Sequence, residues 1–179
     1  VPADATEVVA IVEHLASHPG PAYVRMPRGK TPVLLDPATY VFRPGRAITL
    51  HPGGDVAILA CGTMVPRALE AADLLAAQGI AARVVNMSSI KPLDSAAVID
   101  AAAEAGCIVT AEDHSIVGGL GSAVCELLAS CRPTPVIRVG IRDQFGEVGD
   151  VEWLAAKFGL SSTHIAQAGV AALALKSSP

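Results

Sequence analysis

Three groups of residues in this chain have types and spacings that could do chemistry. Glu112-Asp113-His114 sets two carboxylates beside an imidazole, the material of general acid-base catalysis. Shortly after it, Gly118-Gly119-Leu120-Gly121 opens an apolar, helix-like run. Glycines at a helix start let backbone N–H groups and the helix dipole hold an anion. Arg25, Arg28 and Lys30 form the one local cluster of positive charge, and an arginine placed after a strand can hold a phosphate or carboxylate by two parallel hydrogen bonds.

Each group also has an ordinary use. Glu112 and His114 can cap backbone groups, orient a loop or sit at a subunit contact. No nucleophile motif accompanies them: Ser115 lacks the GxSxG elbow, and Cys107 falls at the start of a strand, away from the loops. The glycines match neither GxGxxG nor GxxxxGK[ST], and they equally allow a helix to pack close to a strand. The basic cluster can be a solvated turn. Cys61, Cys107, Cys125 and Cys131 have no CxxC or Cys/His ligand spacing, so free thiols in a reducing cytoplasm are expected rather than zinc. His14, His18, His51 and His164 stand isolated and receive no role, and Trp153 reads as a packing anchor.

The elements that must position these residues follow from periodicity. Asp4-Ala-Thr-Glu7 reads as a capping box opening a helix that carries Val8, Ile11, Val12 and Leu15 and stops at Pro19-Gly20-Pro21. Ala22 to Met26 reads as a short strand. One helix and one strand cannot bury an apolar face, so this segment looks like the tail of something larger. Residues 31–54, rich in Pro and Gly, read as a linker or small hairpin with weak extended stretches at 40–42 and 47–50.

After Gly53-Gly54 the texture becomes regular. Apolar strand-like runs at 55–61, 81–87, 107–112 and 135–140 alternate with helical patterns at 64–78, 95–105, 119–131 and 150–158, and a last helix covers about 162–176. Runs apolar on both faces and separated by crossover-length helices predict an α/β fold: a mostly parallel five-stranded sheet with helices on both faces. Ligands of such sheets sit beyond the carboxyl ends of the strands, which gathers Gly62-Thr63, Asn86 to Ser89, Glu112 to Gly121 and Gly140 to Gly149 on one edge.

Bulk properties narrow the classes. A chain of 179 residues holds one domain with a segment attached. With 51% hydrophobic residues it is not disordered. No apolar run approaches the roughly 18 residues of a membrane span, and the N-terminus lacks a signal peptide's basic flank, so a soluble protein is expected. A net charge of −4 from interspersed charges leaves no footprint for nucleic acid or an anionic membrane.

Four runs in order carry a resemblance: GPAYVRMPRG; VAILACGTMVPRALEAADLLAAQGIAARVVNMSSIKPLD; TAEDHSIVGGLGSAVCELLA; and Phe145-Gly-Glu-Val-Gly149 followed by FGLSSTHI. The chain is similar to the C-terminal part of transketolases, particularly the C-terminal subunit of those split into two chains. Within that superfamily, 1-deoxyxylulose-5-phosphate synthase and the β subunit of 2-oxoacid dehydrogenases are the rivals; Asp113-His114-Ser115 and the Phe-Gly-Glu-Val-Gly turn favour transketolase. A regulatory module holding an anion or nucleotide at Gly118 to Gly121 is the alternative of another class.

The resemblance implies that residues 1–43 are the end of a pyrimidine-binding domain with its linker, and that 44–179 are a transketolase C-terminal domain. It implies thiamine diphosphate and Mg2+ in the complete enzyme, with no cofactor, metal or catalytic residue on this chain. It also implies sugar phosphate substrates and a homodimer or a diphosphate-binding N-terminal subunit as partner. Arg28, with Arg25 as second choice, falls at the family's sugar-phosphate arginine. Glu112, His114, Gly118, Gly119 and Gly121 fall where the family has interface and loop elements. The absence of an initiating Met and a start inside a family-like run lead us to expect a piece of a subunit of roughly 300 residues, inactive alone.

Overall fold

The computed structural model describes residues 1–176. Five strands, β1 (Ile48–His51), β2 (Val56–Ala60), β3 (Ala82–Asn86), β4 (Ile108–Ser115) and β5 (Val136–Ile141), form one sheet in the order β1-β3-β2-β4-β5. The last four run parallel, and β1 lies antiparallel on β3. Six helices accompany them: α1 (Ala5–Leu15), α2 (Met64–Ala76), α3 (Ser95–Ala105), α4 (Leu120–Cys131), α5 (Val151–Lys157) and α6 (Ser162–Lys176).

The central strand shows why no polar alternation marks these runs. Every residue of β2 is buried. Val56, Ile58 and Ala60 pack with Val65, Ala68 and Leu75 of α2 and Ile165 and Ala172 of α6, while Ala57 and Leu59 pack with Val98 and Ala102 of α3 and Val124 and Leu128 of α4. Both faces are covered, so both parities of the strand must be apolar. Alanines along α2 and α3 let the helices sit close to the sheet, which is how a chain with 3% aromatics fills its core.

The apolar stretch Val151–Lys176 reaches a mean hydropathy of 1.2, enough by length and composition for a membrane span. Here it is interrupted between α5 and α6, and α6 buries Ile165, Ala166, Ala168, Gly169 and Ala172 against the sheet and α2. Its apolarity is that of a core helix.

Three expectations differ from the structure. Residues 22–26 form no strand, and Tyr23 and Met26 face solvent. The β-like composition is present, but no described strand lies alongside to complete the ladder, and an unpaired strand is not stable in water. The stretch at 40–42 is irregular for the same reason. The stretch at 47–50 does become β1, yet it pairs with β3 instead of closing a local hairpin.

The N-terminal segment is tied down by its own cap. Asp4 Oδ1 accepts from Glu7 N at 2.9 Å, and its Oδ2 accepts from Leu34 N and Leu35 N at 2.7 and 2.8 Å. One carboxylate therefore starts α1 and pins residues 34–35 beside it. Asp94 does the same for the stretch leading into β1, accepting from Ala97 N at the start of α3 and from Ala47 N just before β1.

Candidate functional site at the carboxyl edge of the sheet

The strands end where parallel sheets usually bind ligands. Two buried carboxylates organise this edge. Glu7, fully buried on α1, accepts from Ala3 N at 2.7 Å, from the Tyr40 hydroxyl at 2.6 Å and from Asn86 Nδ2 at 3.0 and 3.1 Å. Asn86 is the last residue of β3, so this cluster fastens the N-terminal segment over the sheet. Burial, with the Glu7 carboxylate next, pushes the Tyr40 phenol above its ordinary range.

Glu112, also fully buried, lies on β4 and turns both oxygens onto the start of α4. Oε2 accepts from Leu120 N and Oε1 from Gly121 N, each at 2.8 Å. A Cβ on Gly119 would overlap this carboxylate, and one on Gly121 would come within 2.8 Å of Thr110 Oγ1 and Arg138 Cδ. Gly118 has φ +77°, a conformation that favours glycine, with open space where its side chain would be. The glycines thus serve close approach and a turn. The helix start, read from sequence as either a close-packing turn or an anion site, is filled by the protein's own carboxylate, which leaves no room there for an external anion.

Further out, β4 continues to Ser115, past the expected end at 112, and places His114 half in solvent. The His114 ring nitrogen Nδ1 lies 3.0 Å from the Ser115 carbonyl and 3.9 Å from Glu112. Arg25 and Arg28 part company. Arg25 donates to the Asp113 carbonyl at 2.5 Å. Arg28 is exposed on the loop, with no hydrogen bond among the described residues.

Between α1, residues 21–25, residues 88–92 and the loop after β4 lies a cavity of about 580 Å³. Its lining includes His14, His18, Phe42 and Lys91, none of which the residue pattern places at a site, together with Arg25, His114, Gly118 and Gly119. His14 lies in the last turn of α1 and His18 just beyond the helix end, with their ring centres 5.9 Å apart. Phe42 packs edge-on against His14 at 5.6 Å between ring centres.

Cys61, the residue after β2, is buried, and burial, reinforced by Glu112, pushes its thiol up to about 12. Such a thiol is no nucleophile at neutral pH. All four cysteines are free. The described residues hold no group of three or more His, Cys, Asp or Glu that could bind a metal ion. Neither buried carboxylate is free to serve a cofactor, since the oxygens of Glu7 and Glu112 are taken by internal donors. The groups gathered here do not fit a magnesium diphosphate.

Comparison with known proteins now decides the family. The transketolase C-terminal domain family matches residues 45–165. The chain belongs to that family. It is 46% identical over 167 residues to a 6-deoxy-6-sulfo-D-fructose transketolase subunit of Clostridium sp. (strain MSTE9), covering 93% of this chain and 52% of that protein. It is 40% identical over 165 residues to an apulose-4-phosphate transketolase subunit of Phocaeicola vulgatus, covering 92% of this chain and 53% of that protein. A 1-deoxy-D-xylulose-5-phosphate synthase of Geobacter sulfurreducens is 42% identical over 181 residues, covering 99% of this chain but 28% of the synthase.

Among solved structures, a split-gene transketolase described as an inactive β4 tetramer superposes with a TM-score of 0.94 at 46% identity, covering 98% of this chain and 57% of its own. Transketolase from Leishmania mexicana shares the fold at 20% identity, with a TM-score of 0.56 over 74% of this chain and 18% of its own. The chain spans about half the length of the transketolase subunits it matches. As a transketolase C-terminal domain with its preceding segment, it has the α/β sheet that the sequence predicted.

Proposed function

We propose that this chain is the C-terminal portion of one subunit of a split transketolase, supporting assembly of an enzyme that moves two-carbon ketol units between sugar phosphates. The observation that carries this is the 98% coverage at 46% identity against a split-gene transketolase chain, including the segment that precedes the family domain. In this reading residues 1–43 are the end of the pyrimidine-binding domain and its linker, and 44–179 are the C-terminal domain. Thiamine diphosphate supplies the carbanion chemistry when bound to the complete enzyme with Mg2+, held by groups outside this chain. What these residues contribute is a rigid sheet, a fastening at Glu7 and Glu112, and an arginine at 28 or 25 for the substrate's phosphate.

Partners are a second copy, a diphosphate-binding subunit, or both, in the cytoplasm. The fully exposed Phe145 and Val148, with Val151 beside them in sequence, offer an apolar surface for such contacts. The test is reconstitution. The complete subunit with its diphosphate-binding partner should transfer ketol units, and this chain alone should neither turn over nor bind thiamine diphosphate calorimetrically; clear micromolar binding by the chain alone sinks the reading. A second reading, a synthase fragment, draws on the Geobacter relative. Formation of 1-deoxy-D-xylulose 5-phosphate by the complete protein would decide for it.

A further inference from the structure

Of the two edge strands of the sheet, β5 is the longer. Ile108 N donates to the Pro135 carbonyl and Ile116 N to the Ile141 carbonyl, which fixes the parity of β5. Its odd-numbered residues face β4, and Val136, Arg138 and Gly140 turn their N–H and C=O groups outward. No strand among the described residues lies there to receive them, and Val136 and Arg138 are part-exposed. Such an edge is a template for another strand unless proline, a bulge or a covering element blunts it, and Val136 to Ile141 holds no proline. Alongside runs a groove of about 460 Å³ whose other wall is Phe158, His164, Gln167, Ala168 and Ala171. Its lining includes Arg138, Arg142 and His164, and no Asp or Glu. The charged residues from Arg132 to Arg142 are three arginines, and α6 carries no acid, in a chain whose net charge is −4. The next acid in sequence, Asp143, lines a separate hollow with Ser115 and Ile141.

We propose that β5 binds an extended acidic peptide of another protein as an added strand, hydrogen-bonded through its main chain to Val136, Arg138 and Gly140. The pleat sorts the peptide's side chains onto two faces. Arg138 lies on the α4 face, against Gly121, with Nη1 donating to the Ile116 carbonyl at 3.0 Å, and Arg142 follows at the same parity. Acidic residues at alternate positions therefore meet the arginines. The residues between them lie on the α6 face, where Ile137 and Val139 join the core and Phe158 and Ala168 wall the groove. A second copy's β5 is the wrong occupant, because it sets one arginine-bearing strand against another. The groove shares no lining residue with the cavity at the carboxyl edge, and the proposal does not depend on the transketolase reading.

The test titrates the protein against a fluorescent peptide of alternating Val and Glu, with anisotropy as the readout. Two further peptides serve as comparisons: the Val-Lys counterpart, and a Val-Glu peptide N-methylated throughout, which keeps the charges and removes every main-chain donor. The Val-Glu peptide should bind, and each comparison peptide should bind at least about tenfold more weakly. Arg142→Glu, a change at an exposed residue, should weaken Val-Glu binding by about fivefold, the scale of an attractive cross-strand pair made repulsive. Arg138→Glu should do the same. Arg46→Glu alters the net charge equally at an exposed residue near β1, the other edge of the sheet, and should change nothing. An absence of Val-Glu binding, equal binding of either comparison peptide, or equal loss in Arg46→Glu overturns the proposal. So does a fall in light-scattering mass in Arg142→Glu, which would assign the edge to a second copy. None of these outcomes bears on ketol transfer by the reconstituted enzyme.

Discussion

Asn86 donates its side-chain amide to both oxygens of Glu7 across 79 positions of sequence. The contact joins the first turn of α1 to the last residue of β3, and Ala3 N and the Tyr40 hydroxyl complete the shell around the same carboxylate. Glu7→Ala would leave these buried donors without an acceptor, each a substantial penalty. We expect a loss of about 3 kcal/mol, read by urea unfolding, with Tyr40→Phe costing about 1 kcal/mol. A Glu7→Ala protein as stable as the parent would show that the cluster holds nothing together.

Gly119 and Glu112 form a second coupled pair. At φ −97° the Gly119 backbone suits any residue, so the obstacle to Gly119→Ala is the Glu112 carboxylate alone. The variant should lose about 2 kcal/mol by overpacking and displacement of the cap, and Glu112→Ala a similar amount. Once the carboxylate is gone the Cβ has room, so the double variant should fall well short of the sum. Full additivity in the cycle would contradict the geometry.

The Cys61 thiol is raised from its ordinary 9.0 up to about 12 by burial and then by Glu112. A folded-state value above the unfolded one means the native state holds its proton longer, so stability is intact below about pH 9 and falls as pH rises from there toward 12, by up to about 1.4 kcal/mol per unit. Tyr40, also raised, adds a fall in the same direction at higher pH. Cys61→Ala should delay the onset of the loss in alkaline unfolding curves. Thiol-specific labelling at neutral pH should modify exposed Cys131 first and leave buried Cys61 and Cys107 until denaturant is added.

The apolar surface at Phe145 and Val148 predicts self-association. Phe145→Asp with Val148→Asp should lower the mass seen by light scattering without moving the melting temperature by more than a degree or so, since neither side chain is packed within the chain. An unchanged mass would move the assembly surface elsewhere.

For the assembled enzyme, Arg28→Ala should raise KM for phosphorylated sugars by about tenfold, the scale of a lost charged hydrogen bond. Arg25→Ala is the second candidate. If neither variant alters KM, the phosphate role of this loop is wrong.

The parallel domain was legible because burial on both faces writes itself into sequence as runs such as VAILA, and helix-length spacers separate them. Asp4 was legible as a cap because its bond to Glu7 N is local. The rest of Glu7's shell was not, since Tyr40 and Asn86 approach only through the fold. Residues 22–26 misled because strand composition says nothing about whether a neighbouring strand is at hand. Glu112 and the glycines stand close together in sequence, but only their geometry shows that one fills the space the others leave. The cavity's lining is scattered from Val1 to Gly119, so no local pattern could announce it.

An anion that belongs to the polypeptide cannot be washed out, diluted or exchanged. With Glu112 covalently supplied eight and nine residues ahead of the N–H groups it satisfies, the start of α4 should be equally well capped in phosphate-free buffer and in a phosphate-rich cell, and the orientation of the β4 end should be indifferent to metabolite levels.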